Sequence, residues 1–443
     1  MEAKRCCSIH EHGYLLDTNE LAGNSNTVAI PHSAFQYLLS LIKEEASEYD
    51  YAPFLKLTTF QRKTALKVQN YVGVLQTPCG TQIEVLPKLY LNEEGDSPEK
   101  TRHQLIRMLR CLRNSPFKQA SHSDIRDAKM PLLEVYISQF LSLANQLVKR
   151  GIRSDYIRQQ KNTQYLKGRL LVGQQIRKNA MHPERFFIEC DDYQVNRPAN
   201  RLIKTTLSLV LRASQSAANQ RLARELGFVF EEVPASNDIR SDFQKVKLSR
   251  GMGYYQDVLA WCELLLNSNG PTASSGGFNT LSLLYPMERI FEDYVAHCLR
   301  LNLNEHFAAG CTLKTQAAKY SLVEEHNDSS IFKLKPDLLV IKDKQTVCVM
   351  DTKWKLLDSS DRKNKYGISQ ADMYQLYAYG HKYLKGNEHK KLMLIYPKTD
   401  KFKEPLPVFK YEDGFELLIV PFDLESGKLC PDTTKAWALI SGG

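Results

Sequence analysis

Two short apolar runs, Leu338–Ile341 and Thr346–Trp354, are separated by the polar segment Lys342-Asp343-Lys344-Gln345. Such runs around a polar break specify a β-hairpin, and the hairpin decides where its charges go. Pro336-Asp337 leads into the first run, and Asp351-Thr352-Lys353 lies near the end of the second. Asp351 and Lys353 are two apart, so on a strand both side chains leave the same face. Pairing of the two runs brings Asp337 next to Asp351. Two carboxylates that close repel each other, and burying them is costly unless a cation compensates. A hard divalent ion such as Mg2+ suits them, because it takes oxygen ligands and keeps waters for a phosphate and a nucleophile. Lys353 can then orient or deprotonate a metal-bound water and offset charge in the transition state. Phosphodiester hydrolysis has these requirements.

Two flanking segments extend the pattern. Glu292, in Arg289-Ile290-Phe291-Glu292-Asp293-Tyr294-Val295, lies on the predicted helix Pro286–Leu301 and can supply a third carboxylate. Gln375 and Tyr379 stand four apart on the predicted helix Ser369–Leu384, hence on one face, where they can hold a metal-bound water or a phosphate. Core packing is the plain alternative for Tyr379, and an exposed helix face for Glu292.

The rest of the chain divides by texture into four segments. Residues 1–95 read as β-rich, with Tyr71–Leu75 and Ile83–Lys88 flanking a Pro78-Cys79-Gly80-Thr81 turn. Residues 96–267 read as mainly helical from apolar residues such as Leu105, Met108, Leu109 and Leu112 at helical spacing. Residues 268–280 read as a Gly/Ser-rich linker, and 281–443 as a domain with a mixed sheet flanked by helices. The expected class is therefore mixed α/β, multidomain. No stretch approaches the roughly 18 apolar residues of a membrane helix. The ten scattered cysteines contain no C-x-x-C pair, and the start lacks a secretion signal, so a cytoplasmic protein with reduced thiols is expected. The formal net charge of +9 suits an anionic partner without proving one. A dense basic stretch runs from Lys149 to Arg185, with Arg150, Arg153, Arg158, Lys161, Lys167, Arg169, Arg177 and Lys178 among its members. It can track phosphates, meet an acidic protein surface, or simply be solvated.

Asp337, Asp351-Thr352-Lys353 and the Gln375-x-x-x-Tyr379 helix resemble the PD-(D/E)xK nuclease superfamily. More narrowly, the chain resembles the McrC family, nuclease subunits of the McrBC modification-dependent (5-methylcytosine) restriction system. The likeness includes Tyr71-Val72-Gly73-Val74, Leu166-Lys167-Gly168-Arg169-Leu170, Asn196-Arg197-Pro198-Ala199-Asn200-Arg201 and Leu394-Ile395-Tyr396-Pro397, and spans roughly Thr27 to Val420.

The resemblance implies a C-terminal nuclease domain (281–443) and an N-terminal part that docks on a motor. The partner would be an McrB-like AAA+ GTPase ring whose GTP hydrolysis the chain stimulates. The substrate would be double-stranded, modified DNA, with room for dimerisation of complexes through the nuclease subunit. Superfamily geometry adds the Thr352 carbonyl to Asp337, Asp351 and Glu292 as metal ligands. The chain has no G-x-x-x-x-G-K-[ST] segment, so GTP, if used, belongs to the partner. Two alternatives stand beside this: a regulator of the motor that keeps a nuclease fold as scaffold, and a stand-alone repair nuclease of the superfamily.

Overall fold

A computed structural model describes residues 6–17, 26–45, 54–89, 98–113, 116–119, 130–248, 251–266, 281–387 and 390–430. The proposed linker 268–280 lies outside them. The chain forms two compact units, Met1–Lys129 with Leu284–Gly443, and Met130–Leu283. This grouping differs from the four consecutive segments read from the sequence. Strand Ser282–Pro286 joins a sheet of N-terminal strands beside Tyr71–Gln76, so the beginning and end of the chain share one unit.

In the first unit the N-terminal residues build two four-stranded sheets. One orders Cys6–His10, Gln82–Leu86, Tyr71–Gln76 and Ser282–Pro286; the other Thr27–Ala29, Tyr14–Leu16, Lys63–Val68 and Leu55–Phe60. Leu15, Phe35, Leu38, Leu66, Leu75, Ile83 and Val85 form their common apolar core, with helix His32–Glu45 supplying Phe35 and Leu38. The expected hairpin of Tyr71–Gln76 with Gln82–Leu86 is present and antiparallel.

A seven-stranded mixed sheet carries the charged hairpin. Leu338–Lys342 and Gln345–Thr352 pair antiparallel, and Gln345–Thr352, Lys390–Pro397 and Phe415–Asp423 run parallel. Asp343 and Lys344 make the hairpin turn with φ of 50° and 66°. Positive φ at both central residues matches the right-handed twist of the strands; Asp343 is a usual first residue for such a turn, whereas Lys344 stands where Gly is usual. Helix Gln370–Tyr383 connects two of the parallel strands and covers one face, packing Leu376, Tyr379 and Tyr383 on Val349, Leu392, Leu394 and Leu417. Gly380 permits this approach: a Cβ there would lie 2.8 Å from Phe415 Cε1 and 3.1 Å from Leu392 Cδ2. Helix Met287–Leu301 buries Met287, Ile290, Phe291, Tyr294, Val295 and Leu299, the 3.6-residue periodicity of an amphipathic helix.

The second unit packs helices Leu132–Arg150, Pro198–Ala213, Ala217–Val229, Ile239–Lys245 and Gly253–Leu266. Buried Glu134 accepts hydrogen bonds from Ser214 Oγ (2.7 Å), Asn219 Nδ2 (2.8 Å) and the Gln215 and Ser216 amides. The reading of 96–267 as mainly helical holds for the described residues, but it did not include a small sheet. Asp155–Thr163, Phe186–Gln194 and Arg169–Leu170 form a three-stranded antiparallel sheet. The run Asp155–Thr163 is almost wholly polar, so no apolar alternation announces it; nine-residue pairing with Phe186–Gln194 holds it. Among the described residues no helix is long and apolar enough to cross a membrane.

Candidate active site

The hairpin register pairs Leu338 with Met350, which sets Asp337, one residue earlier, across from Asp351. Asp351 shares strand parity with Val349, whose side chain packs under helix Gln370–Tyr383, so its carboxylate projects to the same face. Lys353 follows the strand, and its N–H still donates to Ile395 O at 2.9 Å, which prolongs the pairing. Lys353 Nζ lies 2.6 Å from Asp351 Oδ2. Asp337 Oδ2 accepts from the Thr352 N–H at 2.8 Å and the Thr352 hydroxyl at 2.7 Å.

The residues expected to act together do meet in one cleft. Asp337, Asp351, Thr352, Lys353, Glu292 and Gln375 line a volume of about 780 Å³. Lys353 Nζ also donates to Gln375 Oε1 at 2.9 Å. Tyr379 is the exception. It is buried in the apolar core, where its hydroxyl accepts from Gln375 Nε2 at 2.8 Å and donates to Lys335 O at 3.3 Å. It therefore reaches the cleft only by orienting the Gln375 amide, and core packing accounts for most of its contacts.

Three cleft residues were not anticipated. Asp372 is buried, takes Lys355 Nζ at 2.6 Å and stands 3.9 Å from Lys353 Nζ. Its position three residues before Gln375 on the same helix was a usable signal. Arg113 Nε pairs with Asp293 Oδ1 at 2.7 Å, and its Nη2 lies 3.4 Å from Glu292 Oε1. Gln316 Nε2 donates to Glu292 Oε1 at 2.6 Å. Nothing local marks Arg113 or Gln316, since each reaches Glu292 across a long stretch of chain.

Burial dominates the electrostatics. It pushes the Asp351 carboxyl up to about 7, helped by the charge of Asp337 and opposed by Lys353. Burial and Asp337 likewise push Glu292 up to about 7. Burial also raises Asp337, against the two Thr352 hydrogen bonds. Burial alone would lower Lys353, but Asp351, Asp372 and Asp337 together hold it above the ordinary lysine value. Lys353 is thus a fixed cation, which favours charge compensation and orientation over the proton abstraction that sequence left open.

The oxygen donors of Asp337, Asp351 and the Thr352 carbonyl are those a hard divalent ion takes, and Mg2+ commonly uses one or two carboxylates and waters. The two adjacent, buried, destabilised carboxylates fit such an ion. Glu292 is held by Gln316 and Arg113 instead, and among the described residues no three His, Cys, Asp or Glu side chains converge to enclose a metal.

Residues 66–397 match the family model for the McrBC 5-methylcytosine restriction system component. The Escherichia coli K12 type IV methyl-directed restriction enzyme EcoKMcrBC is 21% identical over 266 residues, covering 58% of this chain and 74% of that protein. A chain of the refined half-complex from a tetradecameric assembly of Thermococcus gammatolerans McrB AAA+ hexamers with bound McrC superposes with a TM-score of 0.68 at 18% identity, over 98% of this chain and 97% of the other. A chain of the cryo-EM structure of the Thermococcus gammatolerans McrBC complex gives 0.51 at 19% identity, over 67% and 88%. The family match spans most of the sequence, including the charged hairpin and the Gln375 helix: this chain belongs to the McrBC 5-methylcytosine restriction system component family.

Proposed function

We propose that this chain is the Mg2+-dependent endonuclease subunit of a modification-dependent restriction complex, cutting double-stranded DNA when assembled with an AAA+ GTPase ring. The observation that carries the reading is the cleft in which Lys353 Nζ lies 2.6 Å from Asp351 Oδ2 while Asp337 faces Asp351 across the hairpin. Bound at Asp337, Asp351 and the Thr352 carbonyl, Mg2+ would supply Lewis acidity toward the phosphate and acidify a water. The Lys353 ammonium, held by Asp351 and Gln375, offsets negative charge developing on the phosphate and orients the attacking water. Glu292, left outside this ligand set and pushed up to about 7, is placed to accept or return a proton near neutral pH. Thr352 fixes Asp337 through two hydrogen bonds.

The partner half of the reading has two supports: the AAA+ hexamers with bound McrC in the solved relative, and this chain's lack of a phosphate-cradling P-loop. The second unit offers a docking surface. Tyr165, Leu166, Val172, Ile176 and Met181 are exposed among Arg169, Arg177, Lys178 and Arg185. Helix Val172–Asn179 buries only Asn179. Exposed apolar groups rimmed by cations suit a protein partner with an acidic rim.

The test combines the chain with an McrB-like AAA+ protein and methylated or plain DNA, omitting Mg2+ and each nucleotide in turn. Cutting should require the partner, Mg2+ and hydrolysable nucleotide together. Cutting by the isolated chain with Mg2+ alone would favour a stand-alone nuclease, and partner stimulation without any cutting would favour a regulator.

A further inference from the structure

One buried carboxylate has no part in the chemistry above. Glu11 follows strand Cys6–His10 and is 0% exposed. Its Oε1 accepts from the Trp354 indole N–H at 2.7 Å and from the Lys88 backbone N–H at 3.0 Å. The Glu11 N–H donates to Leu86 O at 2.9 Å, so its backbone is tied to the N-terminal sheet. Its Oε2 has no hydrogen-bond donor among the described residues; His12 Nε2 stands 3.9 Å away. Burial raises the carboxyl above the ordinary glutamate value. A buried acid with half its acceptors unmet costs stability, and an apolar side chain of similar size often serves packing better. Its hydrogen bond to Trp354 points to another role.

Trp354 directly follows Lys353 and is 3% exposed. Its ring packs on Phe291 with centroids 5.2 Å apart, and Phe291 directly precedes Glu292. One indole, itself part of the cleft wall, therefore adjoins two site residues, Lys353 at the end of the strand and Glu292 on helix Met287–Leu301. We infer that Glu11 is a positioning residue of the nuclease centre: by holding the Trp354 indole it fixes the backbone that carries Lys353 and, through Phe291, the helical turn that carries Glu292. The inference rests on the nuclease reading. It gives the N-terminal strands a direct hold on the catalytic face, through a contact 343 residues apart in sequence.

The experiment compares Glu11→Leu, Glu11→Gln and Trp354→Phe in the full chain, assembled with its AAA+ partner. The readouts are kcat and KM for DNA cutting, the melting temperature and the indole N–H NMR resonance of Trp354. Glutamine keeps an oxygen acceptor for both donors, so Glu11→Gln should retain the resonance and cut within about threefold of wild type. Glu11→Leu should shift the resonance and lower kcat about 10- to 100-fold with KM nearly unchanged, the pattern of a misplaced group acting only in the transition state. Trp354→Phe keeps the ring on Phe291 but removes the donor, and should reproduce that kcat loss even if Glu11→Leu folds poorly. Wild-type kcat in both Glu11→Leu and Trp354→Phe, or failure of Glu11→Gln to rescue, overturns the inference alone. A wild-type complex that cuts no DNA sinks the nuclease reading and this inference with it.

Discussion

Asp351→Asn should abolish DNA cutting, by at least about 10³-fold, yet leave the chain at least as stable as wild type near pH 8 without divalent ions. Both halves follow from one fact, the burial of Asp351 beside Asp337. An amide of the same shape keeps one oxygen for Lys353 but loses the charge that would hold a metal. The sign of the stability effect follows from the raised pKa. Unfolded, Asp351 loses its proton near the ordinary 3.8; folded, it holds the proton until about 7. The group therefore costs stability as pH rises between those values, and the whole cost is present above them. Asparagine escapes it. Melts should nearly coincide only near pH 4 and below, where Asp351 is protonated both folded and unfolded; the variant's advantage should grow from there to about pH 7 and be largest near pH 8. Undiminished cutting by Asp351→Asn would remove Asp351 from the site. A variant much less stable near pH 8 would mean that its pairing with Lys353 outweighs its burial and repulsion.

The second large effect concerns the partner. Ile176→Asp combined with Met181→Asp should reduce stimulation of the AAA+ protein's GTP hydrolysis by about tenfold or more, as expected when central apolar anchors of an interface become charged. The melting temperature should hardly move, because the two side chains are 65% and 88% exposed. The Asp351→Asn variant should stimulate normally. Normal stimulation by the double variant would move the docking surface elsewhere, with the strands of residues 6–89 as the next place to look.

Legibility tracked how local each signal is. The hairpin Leu338–Lys342 with Gln345–Thr352 was readable because two apolar runs and a polar turn sit side by side in sequence, and its register alone brought Asp337 to Asp351. Helix Gln370–Tyr383 was readable over its whole length, as Ser369–Leu384, yet the plain reading of Tyr379 as a core residue describes it better than a direct role in the site. Arg113, Gln316 and Glu11 were invisible, because each matters through contacts with residues distant in sequence and carries no pattern of its own. The polar strand Asp155–Thr163 was missed for a related reason. Its identity comes from its partner strand and not from its side chains. Segmentation along the chain also failed to show that Ser282–Pro286 would join the N-terminal strands, since sheet membership is settled by pairing in space.

Asp337, Asp351 and Thr352 are proposed to hold a divalent ion beside Lys353. Loading the protein with Fe2+ and generating hydroxyl radicals at the bound ion with ascorbate and peroxide tests this directly, because radicals cut the peptide backbone close to their source. Fragments ending near Asp337 and near Asp351 are expected, suppressed by excess Mg2+ and absent in Asp351→Asn. Fragments confined to other parts of the chain, or an unchanged pattern in Asp351→Asn, would contradict it.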